Sequence, residues 1–493
     1  MIKITKKQEK PTEDKYAAMA LNFVSKLPSQ TVYDPKRTNT RTTRTYTLLD
    51  KEAIFGYLKN PTTTTAAKGL VQASQYMYMS NGHYRRLIDY YVGLPLWQYV
   101  ITALNFEPSK VSKESFRKQY FKTAQYIDMM NLAQEMRKAT TVAARDGIFY
   151  GVIWKGKNSW FLQGIEPTWC VVTSISDGCL QFKVDMSQIK KENLDQYPPE
   201  FEVMYREYET TGDKYQEVPE EISFCLKADL TSLDTVVPPF ASTFPALYTI
   251  AAIEDMQEVS EELKNYKLVW AYNEVDPKTK KPIVDYPLML KYYNHISNAI
   301  GDYVGLVTTP FKLDTIDFEK NSSLSDTDSV SKAVDNFFNT AGTSSALFNA
   351  KTNTAGALKL AVKSDEAFIT PIVMQCQRLV NRYLKMMPGT VKFQIRFLPT
   401  TIYNQDEQVK LYKEAATYGI GKSYYAAALG INQVDIAALD YIEDNMIDID
   451  NILTPLKSTH TMSSADAGRP QEDETNLTDS GAQTRDGGEN DNK

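Results

Sequence analysis

The residues that could carry chemistry are few and widely separated. The chain has only three histidines: His83, His295 and His460. This number excludes a site built from several histidines, such as the HExxH zinc motif. The cysteines lack the close pairing of zinc or redox sites: Cys170, Cys179, Cys225 and Cys376. A chain this long needs no disulfide staples, so reduced cysteines are expected. His83 lies among tyrosines and is interpreted as a packed residue rather than a ligand.

Phosphate-binding and nucleophile motifs are also missing from the sequence. Gly421-Lys422-Ser423 resembles the end of a phosphate-binding loop, but Ala416 stands where that loop needs a glycine, and the preceding residues are predicted to be helical. There is no GxSxG elbow and no dinucleotide-binding glycine pattern after a strand. The acidic pairs Glu261/Glu262 and Asp448/Asp450 are typical of solvated faces. These observations favour a protein that is not an enzyme and needs no cofactor or metal.

The composition limits the classes of protein to which this chain could belong. The 493 residues, of which 42% are hydrophobic and 24% charged, suffice for several domains with sizeable cores. A net charge of -6 argues against a protein that coats itself in nucleic acid by neutralising phosphates, although nucleic acid could still slide past it. No segment approaches the roughly 20 apolar residues of a membrane span. The lysine-rich amino terminus also lacks the apolar core of a secretion signal, so a soluble protein made in the cytoplasm is expected.

The chain is organised around a predicted helical hairpin. Its first arm, residues 244–266, has apolar residues at helical spacing on one face: Met256, Val259, Leu263 and Tyr266. Glu254, Glu258 and Glu261 fall nearly opposite. The second arm, within 319–342, has the same arrangement. Its polar side includes Asp328, and its apolar side consists of Val330, Val334, Phe337, Phe338 and Ala341.

A small module, residues 267–318, lies between the two arms. The sequence predicts a strand at Lys267–Tyr272, a turn, a helix at Tyr286–Ile300, a strand at Tyr303–Thr308 and another strand around Phe311–Phe318. The turn carries exposed lysines: Lys278, Lys280 and Lys281. A module this small cannot bury a core alone, so neighbouring subunits are expected to cover it.

The segments before the hairpin predict an α+β domain. A basic arm and a Thr/Arg-rich stretch at Ser29–Thr47 precede helices up to Arg145. Antiparallel hairpins follow between Ile148 and Val184, and further strands are predicted at Phe201–Tyr208 and Ile222–Leu226.

After the hairpin, a polar loop is predicted through 343–364, followed by an amphipathic helix from residue 365. Thr370-Pro371 either starts or kinks this helix. A strand at Val391–Leu398 and helices at Asn404–Tyr418, Ser423–Leu429 and Gln433–Met446 come next. An acidic tail, predicted to be disordered, occupies 458–493.

This order of segments resembles the portal, or head-to-tail connector, proteins of tailed bacteriophages over residues 14–455. The closest local likenesses are the stretch Gly82-His-Tyr-Arg-Arg-Leu-Ile-Asp-Tyr-Tyr91, Asp146–Gly151, Leu358–Asp365, and Asn404-Gln-Asp-Glu407 with Tyr418-Gly419. The resemblance implies a mainly helical α+β subunit of a ring, typically of twelve copies. Its parts would be a wing at 1–243, stem helices at 244–266 and 319–342, and a clip at 267–318. A channel loop at 343–364, a helix and strand returning to the wing at 365–400, crown helices at 401–457 and the tail at 458–493 would complete it.

The resemblance also implies a function at one vertex of a virion, assembled in the cytoplasm of the host. Double-stranded DNA would be packaged and ejected through a channel lined by Glu254, Glu258, Glu261 and Asp328, and Lys351 and Lys359 would contact DNA from the channel loop. Lys278, Lys280 and Lys281 would lie on the clip surface that meets the terminase large subunit and later the head-tail adaptors. Major capsid and scaffolding proteins would be further partners, and a membrane would not.

A second hypothesis is a DNA-processing enzyme, a nuclease-like accessory whose carboxylates hold Mg²⁺. The stem hairpin with acids on one side discriminates between the two, because a compact nuclease does not need it.

Overall fold

The computed structural model describes residues 50–104, 107–156, 159–233, 235–265, 267–272, 276–279, 281–299, 304–309, 326–348 and 355–442. The chain divides into two compact units, Met1–Val434 and Asp435–Lys493. The architecture combines many helices with small open sheets of two or three strands. The predicted amino-terminal arm, the strand around Phe311–Phe318 and the acidic tail lie outside the described residues.

Five α-helices precede Ile148 in the described part of the chain. They are α1 (Lys51–Lys59), α2 (Thr64–Ser80), α3 (Gly82–Gly93), α4 (Lys113–Met129) and α5 (Leu132–Asp146). Thr63, Asn81 and Ser112 accept hydrogen bonds from the first-turn amides of α2, α3 and α4. The helices predicted up to Arg145 include α4 and α5, and Asn131 separates these two with a left-handed φ of 45°.

The strands of this unit form two antiparallel three-stranded sheets. β2 (Ile148–Lys155) pairs with β3 (Trp160–Ile165) and with β7 (Ser223–Lys227), whereas β5 (Cys179–Asp185) pairs with β4 (Cys170–Ser176) and with β6 (Tyr215–Glu217). The predicted hairpins are therefore confirmed. The predicted strand at Phe201–Tyr208 is wrong, since this segment lies in α6 (Glu200–Thr211). There Phe201 and Met204 are buried at helical spacing.

The hairpin arms are helices α7 (Phe244–Asn265) and α9 (Asp326–Thr340), which pack against each other. The module between them contains β8 (Lys267–Tyr272), α8 (Tyr286–Ala299) and β9 (Val304–Thr309). β8 and β9 are parallel, in register from Lys267 opposite Val304 to Tyr272 opposite Thr309. The helix thus connects two parallel strands, as in a βαβ unit.

A long helix, α10 (Ala355–Met386), leads back from the hairpin, and Pro371 lies inside it. Thr370-Pro371 therefore does not start the helix. β10 (Lys392–Phe397) follows and pairs antiparallel with β1 (Tyr99–Leu104), a strand that was not predicted from the sequence. The chain continues through α11 (Gln405–Thr417), α12 (Lys422–Ala428) and α13 (Gln433–Tyr441).

The main core joins the amino-terminal helices to the hairpin and to α10. Its buried members include Tyr84, Leu87, Phe244, Phe337 and Ile372. A second core lies around the β4–β5–β6 sheet and contains Phe182 and Phe201. None of the helices in the described ranges is long and apolar enough to cross a membrane.

Gly147 ends α5 with a left-handed φ of 88°, and its position leaves no room for a side chain. A Cβ at this residue would lie 2.5 Å from the carbonyl oxygen of Val237. Gly212 ends α6 with a φ of 75°, but a Cβ there would meet nothing within 4 Å. A comparison of substitutions at the two positions therefore separates the cost of left-handed backbone strain from the cost of a close contact.

We predict that Gly147→Ala lowers the free energy of unfolding by about 3 kcal/mol, from left-handed strain plus overpacking. Gly212→Ala, the matched control, should cost only about 1 kcal/mol of strain. Thermal melting followed by circular dichroism measures both. Equal falls in melting temperature would contradict the role of the Val237 contact.

Candidate functional site

The two hairpin helices are packed at one end of the pair. Phe244, Leu247 and Ile250 of α7 are buried, and so are residues of α9 at helical spacing: Ala333, Val334, Phe337 and Phe338. His83 packs against this end, with its ring centroid 6.4 Å from those of both Phe337 and Phe338. These contacts agree with its interpretation as a packed residue.

The middle of α7, residues 251–258, is largely exposed in the single chain. Glu254 and Glu258 are exposed one turn apart, with no ion-pair partner among the described residues. Like charges at this spacing destabilise a helix by about 0.2–0.5 kcal/mol. Met256, predicted to face protein, is 71% exposed. Glu261 lies in α7 and Asp328 in α9, but their side chains lie outside the described part of the structure.

The module at the tip carries a closed turn before α8. The Asp276 amide donates to the Lys281 carbonyl at 3.0 Å, and the Asp276 carboxylate accepts from the Lys278 amide at 2.9 Å and the Thr279 hydroxyl at 2.7 Å. The bond from the Lys278 amide, followed by that from Thr279, lowers the pKa of Asp276. Lys278 and Lys281 are exposed on this turn, whereas Lys280 lies outside the described residues.

The polar loop after α9 is shorter than predicted. α10 begins at Ala355 rather than at residue 365, because Ala355, Ala357, Leu358 and their neighbours are strong helix formers. Lys359, predicted to lie in the loop, is therefore helical. Its ammonium lies 3.0 Å from the Glu407 carboxylate, and the hydrogen bond between them is the main cause that lowers the pKa of Glu407. Lys351 lies outside the described residues.

The base of this loop is held by a buried carboxylate. Asp365 in α10 is 5% exposed. It accepts hydrogen bonds from the hydroxyls of Tyr90 at 2.9 Å, Thr343 at 2.8 Å and Tyr91 at 3.4 Å. Burial, together with this carboxylate, raises the pKa of both tyrosines, so their hydroxyls remain donors. The network joins α3, the end of α9 and α10.

Aromatic packing holds the same loop base a few residues further along. Phe348 stacks on Phe338 with ring centroids 4.1 Å apart and planes 5° from parallel. The Tyr90 ring meets Phe348 edge-on at 5.3 Å, and the Arg86 guanidinium lies 5.5 Å from the centroid of Phe348. Residues 343–348 are thus fixed on both sides before the loop continues.

Sequence reasoning missed Asp365 as an organising residue, although a signal was present. Tyr90 and Tyr91 end one of the stretches quoted for the portal resemblance, and Asp365 ends another. The structure brings these two stretches into contact. A third stretch, Asn404–Glu407, contacts the first half of α10. Glu407 pairs with Lys359, and Asn404 donates to the Glu366 carboxylate at 3.2 Å.

No group of three or more metal-ligating side chains occurs within the described ranges. The cysteines are free and buried. Burial raises the pKa of the Cys170, Cys225 and Cys376 thiols, so these groups are protonated.

No family model matches the chain, and no curated protein matches it. Among solved structures, it is similar to a chain from the neck of an empty GTA particle computed with C6 symmetry. The TM-score is 0.38 with 10% sequence identity, and the match covers 72% of this chain and 91% of that chain.

We predict that Tyr90→Phe lowers the free energy of unfolding by about 1.5–3 kcal/mol, since it removes a hydrogen bond to a buried carboxylate. Tyr91→Phe is the matched control and should cost less than about 1 kcal/mol, because its bond of 3.4 Å is long. Chemical denaturation of both variants tests the difference. A larger loss in Tyr91→Phe would show that the assigned hydrogen bonds are not those that stabilise the loop base.

Proposed function

We propose that this chain is the portal subunit of a tailed phage, without catalytic activity of its own. Identical copies form a ring at one vertex of the capsid, and double-stranded DNA passes through the ring during packaging and ejection. The observation that carries this proposal is the surface of the tip module. Large apolar side chains around α8 are 48–75% exposed: Ile283, Tyr286, Leu288, Leu290 and Tyr292.

An exposed apolar surface of this kind needs a partner. Parallel strands normally have helices on both faces, and a two-stranded sheet is marginally stable alone. Here one helix connects two strands, and its apolar side chains lie on more than one side. Further copies of the same module, arranged around an axis, would bury these side chains by the hydrophobic effect.

The exposed acids of α7 then have a physical role. In a ring, the Glu254 and Glu258 carboxylates of every copy face the channel, together with Glu261 and Asp328. A negative wall repels DNA phosphates over about 8–10 Å at moderate salt. DNA therefore binds only weakly at each position along the channel and can slide.

Lys351 and Lys359 supply weak, reversible contacts with DNA. Lys351 is the direct candidate. Lys359 is paired with Glu407, and both side chains are more than half exposed. Surface pairs of this kind contribute only about 0–1 kcal/mol, so a passing phosphate can compete for Lys359. The loop base around Asp365 keeps these contacts at a fixed height in the channel.

The remaining assignments follow from this arrangement. The domain before α7 is the wing, and α11, α12 and α13 contribute to the crown. Lys278, Lys280 and Lys281 lie on the clip surface that docks the terminase large subunit and later the head-tail adaptors. The wing contacts the major capsid and scaffolding proteins.

Particle imaging of the purified protein tests the ring directly. We predict annular particles for the wild-type chain, and at least about 10-fold weaker assembly for a variant with Tyr286→Ser, Leu290→Ser and Tyr292→Ser, because it loses buried apolar area. Val203→Ser is the control, since Val203 is 61% exposed on α6 in the wing. Monomers at every concentration of the wild type would refute the proposal, and magnesium-dependent cleavage of plasmid DNA would favour the nuclease hypothesis.

Reversing the channel charge gives a second test. We predict that rings with Glu254→Lys and Glu258→Lys bind a short DNA duplex at least about 10-fold more tightly than the wild type at low salt, and that added salt reverses this gain. Fluorescence anisotropy measures the affinity. Glu220→Lys with Glu221→Lys is the control, because these acids are exposed on a wing loop. Equal gains in both variants would contradict the placement of α7 along the channel.

A further inference from the structure

Helix α11 has a cavity beside its first turn. The cavity has a volume of about 270 Å³ and lies between α10 and α11. Its apolar lining comes from Leu347, Leu358, Val362 and Tyr403, and the Lys359–Glu407 ion pair is also part of the wall. An apolar cavity of about 150 Å³ is enough to bind benzene, so this one has room for a large apolar side chain.

The other end of α11 carries an exposed apolar turn. Tyr418 is 83% exposed and Ile420 is 68% exposed. Gly419 and Gly421 have left-handed φ values of 81° and 65°, and a Cβ at Gly419 would meet nothing within 4 Å. The turn therefore projects from the molecule.

The same turn is rigid. The Ile420 amide donates to the Ala415 carbonyl at 3.0 Å, and the Gly419 amide donates to the Ala416 carbonyl at 2.9 Å. This pair of bonds is a Schellman motif, which fixes the backbone beyond the helix end. Little conformational entropy remains to be lost when the turn binds.

We propose that the turn Tyr418–Gly421 of one copy inserts into the α10–α11 cavity of the neighbouring copy. The inference rests on the proposed ring and identifies one of its contacts. The turn cannot enter the cavity of its own chain, because α11 is rigid and separates the two by about 20 Å at 1.5 Å per residue. A protrusion and a cavity on different surfaces of identical chains give a head-to-tail contact, which closes into a ring when the rotation between copies permits.

Charges beside the two features are complementary. Lys422 follows the turn and is exposed, and Asp406 is exposed in the first turn of α11 next to the cavity. Neither makes an ion pair with another described residue. Insertion of the turn brings the ammonium of Lys422 to the side of α11 that carries Asp406 and Glu407. This pairing orients the contact, while the apolar side chains supply most of the affinity.

Cysteine cross-linking tests the contact in the full-length chain. Ile420→Cys combined with Leu358→Cys should give, on mild oxidation, a ladder of covalent oligomers that extends beyond dimers. The native cysteines are buried and should contribute little. Ile420→Cys with Met374→Cys is the matched control, because Met374 is 64% exposed on α10 but does not line the cavity. This control should give no ladder.

Charge reversal provides an independent measurement. Asp406→Lys and Lys422→Glu should each weaken ring assembly by about 3-fold to 10-fold, and the two together should restore it. Mass photometry at several protein concentrations gives the ring population.

The possible outcomes separate this inference from the proposed ring. Rings that form normally but give no ladder, or the same ladder as the control pair, would overturn the Tyr418–Gly421 contact and leave the ring intact. A ladder that stops at dimers would overturn the head-to-tail arrangement. A wild-type chain that never forms rings would overturn the proposed function itself.

Discussion

One buried carboxylate joins the parts of the chain that must keep a fixed relation to one another. Asp365 projects from α10 into a site where a charge is costly, and the hydroxyls of Tyr90, Tyr91 and Thr343 supply its hydrogen bonds. The donors come from α3 and from the end of α9. Removing any strong donor leaves a buried acceptor short of a partner, so the amino-terminal helices, the hairpin and the long helix are positioned together.

The hairpin is consequently well packed at one end, and the middle of α7 is exposed. Phe244, Phe337 and Phe338 belong to the main core, and Phe348 stacks on the last of these. Further along α7, Met256 and the acids Glu254 and Glu258 face solvent, and around α8 large apolar side chains do so as well. A single copy thus buries its apolar residues where the hairpin meets the amino-terminal helices and exposes other apolar residues around α8. This distribution is the physical basis for proposing a ring.

The exposed surfaces have different chemistry along the chain. The α8 surface is apolar and broad, whereas the turn after α11 is a compact protrusion at Tyr418 and Ile420, and a cavity lies near Leu358. Burial of apolar area at both surfaces would supply affinity between copies. Carboxylates on α7 would instead lower the affinity for DNA, because they repel its phosphates. Weak binding would let the DNA slide.

The sequence alone determined most of the helices and strands of the hairpin and its tip, because helical spacing and strand-like runs report local geometry directly. It also indicated His83 as a packed residue. The predictions from the sequence were wrong where one stretch fits both a helical and a strand-like pattern, or where the partner of a residue lies far away in the chain. Phe201–Tyr208 alternates like a strand yet buries Phe201 and Met204 at helical spacing, and Lys359 was assigned to a loop because glycine and threonine precede it.

Only the tertiary structure revealed the Asp365 network, the pairing of β1 with β10 and the cavity beside α11. Tyr90 and Asp365 are 275 residues apart, and no local pattern states which buried carboxylate will meet which hydroxyl. Such contacts depend on how separate elements pack, and packing is decided by the complete set of apolar surfaces that the chain must bury.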